Sequence, residues 1–137
     1  MTEVNLEQLE AENTKLVTEF CKKWEERDVS ALLPYLADDI HYEMWDADDA
    51  IVVNGKEEMS QMIEPFMDGL ERVEFEILRT QAMGKLVMNE RVDRFIRNDP
   101  DPEINDWIFP ITGVIVVEDG KIVYWKDYRI PGKATQM

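Results

Sequence analysis

Apolar residues at the start of the chain recur at steps of three and four. Leu6, Leu9, Leu16, Val17, Phe20, Cys21 and Trp24 trace one stripe and predict an amphipathic helix. Asn5, with Gln8 three residues on, suits its N-terminal cap. A second, short helix is predicted from about Val29 to Leu36, with Pro34 limiting its regularity. The alternation around Ile40–Trp45 then predicts a strand, with Ile40, Tyr42 and Met44 on one side and His41 on the other. Asp46, Asp48 and Asp49 read as an acidic loop. After Asn54-Gly55 a third helix carries the stripe Met59, Met62, Ile63, Phe66, Met67 and Leu70.

From Arg72 the period changes to two. Val73, Phe75 and Ile77 alternate with Glu74 and Glu76, which predicts a half-buried strand. Gly84-Lys85 is a turn, and Leu86 to Ile96 forms the partner strand. Two prolines and a run of acids in residues 98–106 break the sheet into a loop. Trp107 to Val117 is the next strand, Glu118-Asp119-Gly120-Lys121 a tight hairpin turn, and Ile122 to Ile130 the closing strand, ended by Pro131-Gly132. Helices first and a mostly antiparallel sheet afterwards predict an α+β domain, with the helices on one face of a curved sheet.

Length and composition narrow the classes. The 137 residues fit one domain, 1–137, with no linker or repeat to divide it. Thirty acidic against 15 basic residues give a net charge of −15, which repels phosphate backbones and anionic membranes. Neither nucleic acid nor membrane is therefore an expected partner. No apolar run approaches the roughly 20 residues of a membrane span, and the acidic N-terminus does not resemble a signal peptide. A cytoplasmic location is the expectation. The one cysteine, Cys21, lies on the apolar stripe of the first helix and reads as a buried, inert thiol.

Strand alternation isolates a few charged residues on otherwise apolar faces. Val87, Asn89, Arg91, Asp93 and Phe95 share one face of their strand, opposite Leu86, Met88, Glu90, Val92 and Arg94. On the last strand Val123, Trp125, Asp127 and Arg129 lie opposite Ile122, Tyr124, Lys126 and Tyr128. Alternation by itself reads most simply as a solvated face carrying an ion pair. No Gly-x-Ser-x-Gly elbow is present. The lone histidine, His41, points away from Tyr42, and the acids show no calcium-loop or His-Glu-x-x-His spacing. Acids such as Asp99, Asp101 and Glu103 read as solvated loop. No metal and no organic cofactor is expected.

The segments Asn89-Glu90-Arg91-Val92-Asp93 and Tyr124-Trp125-Lys126-Asp127-Tyr128 resemble the two signature strands of the limonene-1,2-epoxide hydrolase family. That family lies among the cone-shaped α+β folds that include nuclear transport factor 2, ketosteroid isomerase and the polyketide cyclases. The likeness extends over most of the chain, including the Ala-Asp-Asp before the first strand and the Gly-led third helix. It implies three N-terminal helices packed on a strongly curved, mostly antiparallel sheet, a homodimer, and a small or medium apolar epoxide as substrate. By the same resemblance, Asp93 matches the acid that protonates the epoxide oxygen and Asp127 the base that takes a proton from the attacking water. Arg91 bridges the two carboxylates, and Tyr42 helps to hold the water. Where the family has an asparagine two residues after that tyrosine, this chain has Met44, and a thioether is a poor acceptor. Asn89 or another polar group would then have to hold the water.

Such chemistry suits the residue types. Two carboxyls in one site cannot both ionise easily, so one keeps a proton to give while the other accepts one. Apolar walls from Phe95, Trp125, Met62 and Phe66 would raise one pKa further, while Arg91 favours the ionised forms. Met44 and Asn89 complete the candidate substrate contacts, and Met59, Met67, Leu78 and Phe109 are further candidates for pocket shape. An isomerase, dehydratase or cyclase acting on a steroid- or polyketide-like substrate could use the same carboxyls. A non-catalytic small-molecule-binding module remains a third reading.

Overall fold

The computed structural model describes residues 5–98 and 107–129. Helix α1 spans Leu6–Lys23, and the Asn5 side chain caps it by accepting the backbone N–H of Gln8. A single 3₁₀ turn, Trp24–Glu26, follows. The second predicted helix is interrupted: α2 covers only Val29–Leu32, and a 3₁₀ turn at Leu33–Tyr35 contains Pro34. The ring has no N–H to continue an α-helical ladder, so the segment tightens and ends there.

Strand β1 runs Leu36–Asp46, four residues earlier than alternation suggested, so Ala37-Asp38-Asp39 lies within the strand instead of before it. The acidic segment after it is likewise not a loop. Asp46 and Asp49 flank a tight turn and pair with each other, and β2 occupies Asp49–Asn54. The turn holds Ala47 at a φ of 59°, a left-handed position with no glycine or asparagine to announce it. Helix α3 follows at Lys56–Asp68, and β3 (Leu70–Met83), β4 (Leu86–Arg97), β5 (Trp107–Glu118) and β6 (Lys121–Arg129) complete the order. The hairpin between β5 and β6 turns on Asp119 and Gly120, both at positive φ, the geometry that matches the sheet's twist. The predicted loop 98–106 lies outside the described residues, apart from Asn98, as do Ile130 and the Pro131-Gly132 terminator.

The six strands form one sheet in the order β2-β1-β6-β5-β4-β3. Every pairing is antiparallel except β1 with β6. Helix α1 packs on β3 and β4, and α3 packs on β1 and β2. Between helices and sheet lies a core that includes Val17, Phe20, Trp24, Ile63, Phe75 and Trp125. Met59 and Met67 belong to this core, and Leu78 is 47% exposed, so none of these three shapes a pocket. The register slips between Val116 and Val117, where Val123 has no partner on β5. Strict alternation fails at that bulge, and Ile122 is fully buried, although alternation puts it on the face opposite Trp125. Among the described residues no helix is long and apolar enough to cross a membrane.

Candidate active site

The pairing register arranges the inward side chains in rows across the sheet. One row runs Val87, Ile115, Trp125, Tyr42 and Val53 over strands β4, β5, β6, β1 and β2. The next holds Asn89, Gly113, Asp127, Met44 and Ile51, and a third holds Arg91, Ile111, Arg129, Asp46 and Asp49. Asp93 begins a fourth, beside Phe109. Strand period two thus carries Asn89, Arg91 and Asp93 onto the helix-covered face, where an exposed ion pair is impossible.

All four polar side chains are buried: Asn89, Arg91, Asp93 and Asp127 expose 4% or less. Arg91 is their hub. Its Nε donates to Asp93 Oδ1 and its Nη2 to Asp93 Oδ2, each at 2.9 Å. The same Nη2 donates to Asp127 Oδ2 at 2.8 Å, and Nη1 donates to Asn89 Oδ1 at 3.0 Å. The guanidinium lies over the Phe75 ring, 5.3 Å from its centroid. The Trp125 indole N–H donates to Asp127 Oδ1 at 2.7 Å. Trp125 is an apolar wall by sequence, and this bond gives it a second role in orienting Asp127.

Charge is balanced tightly here. Burial pushes the Asp93 carboxyl up to about 6, and Asp127 adds to that rise, while Arg91 opposes it by charge and hydrogen bonding. Burial opposes the charge on Arg91 too, yet Asp127 and Asp93 together hold its pKa well above the ordinary value. One guanidinium and two carboxyls are neutral together when one carboxyl keeps a proton, and Asp93 is the carboxyl that burial favours for it. Burial and the nearby Asp127 also keep the Tyr42 hydroxyl neutral, with its pKa well above 10.

The two buried carboxyls line a cavity of about 430 Å³, within the usual range for small-molecule sites. Tyr42, Asp93, Trp125 and Asp127 line it, with Met44, Met62, Phe66, Phe95 and Phe109 as apolar walls. Phe66 meets Phe95 edge to face at 5.0 Å, and Phe95 lies 5.7 Å from Phe109, so one wall is continuously aromatic. Asp46, Asp49 and Arg129 complete the lining. Arg129 pairs with Asp46 and lies over Phe109, 4.5 Å from its centroid.

Arg91, Asp93, Asp127 and Tyr42 therefore come together from three strands, and Met44, Phe95 and Trp125 meet Met62 and Phe66 of α3 around the cavity. Asn89 does not line it. It sits behind Arg91, with its Nδ2 3.8 Å from Cys21 Sγ. Burial raises the Cys21 thiol to about 11, in keeping with an inert side chain. His41 lies on the outer face, within hydrogen-bond distance of Asn54 and Glu43. Among the described residues no group of three His, Cys, Asp or Glu could hold a metal ion. Sequence reasoning missed Gly113. Its one signal is its register position between Asn89 and Asp127, which needs the strand pairing to be seen.

The family model described as limonene-1,2-epoxide hydrolase catalytic domain matches residues 11–130. No curated protein matches the sequence. Among solved structures, an LEH-like epoxide hydrolase of M. tuberculosis is 24% identical, with 87% of this chain and 83% of that chain covered at a TM-score of 0.73. A phenazine biosynthesis-related protein from Pseudomonas aeruginosa is 14% identical, covering 94% of this chain and 82% of that one, TM-score 0.74. A putative polyketide cyclase from Xanthomonas campestris pv. campestris is 20% identical, covering 87% and 90%, TM-score 0.69. At these identities the structural likenesses carry the fold alone.

Proposed function

The chain belongs to the limonene-1,2-epoxide hydrolase catalytic domain family, and from that premise we propose that it adds water to a small or medium apolar epoxide in one step without a cofactor. The observation that supports this reading best is the Arg91 fork. One guanidinium nitrogen binds both carboxyls that line an otherwise largely apolar cavity, and burial favours a proton on one of them.

The chemistry follows from that arrangement. Each Asp93 oxygen gives one lone pair to Arg91, which leaves a second position for a proton directed at the epoxide oxygen. Asp127, held by Trp125 and Arg91, takes a proton from a water whose oxygen attacks a ring carbon. The carbon–oxygen bond breaks, the departing oxygen takes the Asp93 proton, and the product is a diol. The cluster keeps its total charge throughout, because one carboxyl gains the proton that the other loses. Such paired acid and base catalysis contributes roughly 10²–10⁴-fold for each group. Tyr42, on the strand beside Trp125, holds the water.

A second reading is favoured by Met44. It pairs with Asp127 across β1 and β6, where the family resemblance calls for an asparagine that would bind the water. A site poor in water ligands suits proton shuttling within one substrate, as in an isomerase or cyclase. Turnover of a panel of cyclic terpene, aryl and aliphatic epoxides in oxygen-18 water decides between the readings. Hydrolysis gives a labelled diol from wild type and none from Asp127→Asn, whereas products of unchanged mass, or none across the panel, count against it. We further propose that a second copy packs on the outer face of the sheet, where Met88, Val52 and Tyr128 are exposed.

A further inference from the structure

Strand β5 lies between β4 and β6, so a side chain leaving β4 for a partner on β6 must pass over β5. Arg91 makes that crossing to reach Asp127. Beside its path β5 presents Gly113, which pairs with Asn89 on one side and Asp127 on the other. A Cβ at this position would stand 2.7 Å from Arg91 Nη1, 2.7 Å from Asn89 Oδ1 and 3.0 Å from Asp127 Oδ1. The first two atoms are joined by a 3.0 Å hydrogen bond, so a methyl group would press into that bond. Gly113 is not among the glycines at positive φ, and its backbone would admit any residue. Glycine inside a strand gives up packing and chain entropy. The reason for it here is the space.

We infer that Gly113 and Asn89 form a positioning slot for Arg91: the missing side chain lets the guanidinium cross to Asp127, and the carboxamide fixes its far edge. Asn89 is itself directed toward Cys21 of α1, which ties the slot to the helix above. Neither residue lines the cavity, so Asn89 acts on the reaction through Arg91, and Gly113 through Arg91 and the Asp127 carboxyl beside it. The catalytic consequence rests on the hydrolase reading, and the geometric one does not.

The test pairs kinetics of Gly113→Ala and Asn89→Ala, on an epoxide that wild type hydrolyses, with a carbon-13 titration of the Asp93 carboxyl in substrate-free protein. Misplacing a reacting group by about 1 Å costs on the order of 100-fold, so Gly113→Ala lowers kcat by about that factor with KM little changed. Asn89→Ala lowers kcat about tenfold, the equivalent of one hydrogen bond. In both, Asp93 titrates above the wild-type value of about 6, because the guanidinium that lowers it has receded. Wild-type kcat together with an unmoved titration in the two variants overturns the slot. If Gly113→Ala does not fold, Asn89→Ala, which only removes atoms, decides. If wild type opens no epoxide, the hydrolase reading falls, and the titration still judges the slot.

Discussion

Replacing Asp93 by asparagine keeps the side-chain shape and removes the titration, so it isolates what the buried acid does to stability. The carboxyl shifts from 3.8 to about 6 on folding, and at 1.36 kcal/mol per unit this is about 3 kcal/mol. The sign follows from which form the fold prefers. A pKa raised in the folded state means that the native protein holds the proton more tightly than the unfolded chain. That contribution is fully present below about 3.8 and is lost as pH rises through about 6. Asp93→Asn has no such step, and the other titrating groups are common to both proteins. Part of this is already lost at pH 4, so wild type loses about 2 kcal/mol relative to Asp93→Asn between pH 4 and pH 7.5, or roughly 7 °C in melting temperature. Urea unfolding of both proteins across that range reads the difference directly. A difference that stays flat, or one that moves in wild type's favour as pH rises, would refute the assignment of Asp93 as the proton-holding carboxyl.

On the proposed hydrolase reading, the same proton sets the activity. The alkaline limb of kcat/KM falls near pH 6 in the free enzyme, where Asp93 gives up the proton the epoxide needs; a profile rising through that region contradicts its role as acid. Asp127→Asn lowers kcat by at least 100-fold while the circular dichroism spectrum is retained, and a variant that unfolds instead points to a structural ion pair. Trp125→Phe removes the donor to Asp127 Oδ1 and costs about 1–3 kcal/mol in urea unfolding. Met44→Asn supplies an amide beside Asp127 and raises the hydrolysis rate about tenfold, one hydrogen bond's worth; unchanged kinetics remove Met44 as the weak point of the water site.

The long periodic elements were legible because their patterns repeat. Seven apolar positions at helical spacing mark α1, and the period-two faces of β4 and β6 group Arg91 with Asp93 and Trp125 with Asp127, although alternation alone reads such a face as solvated and only the packing of the helices turns it inward. The strand β2 was not legible. Ala50-Ile51-Val52-Val53 is too short to show alternation, its turn uses Ala47 where glycine would have signalled one, and its flanking aspartates resemble a loop. Ile122 was misplaced for a related reason: one unpaired residue at Val123 reverses the faces, and a bulge leaves no mark in composition. Asn89 is the substitute that Met44 calls for, an amide on the same face as Asp93, yet it does not line the cavity. Which of two residues on one face reaches a cavity depends on what covers each, and α1 covers Asn89 through Cys21.

The placement of the charged cluster also bears on catalysis against mere binding. A buried guanidinium with two carboxyls is not how a fold gains stability. Apolar residues of the same volume are often as stable or more so, by about 1–4 kcal/mol. An apolar ligand would be held as well by Phe66, Phe95, Phe109 and Met62 without it. The chain nevertheless keeps Arg91 fully enclosed, gives it an aromatic face in Phe75, a carboxamide in Asn89 and a glycine in Gly113, and turns the only two carboxyls it binds toward the cavity. Each of those features restricts where the guanidinium can lie, and a binding wall needs no such restriction. Proton transfer to and from one substrate does, because the two carboxyls must keep different protonation states at fixed positions. The arrangement is therefore better accounted for by chemistry at the two carboxyls than by retention of an apolar ligand.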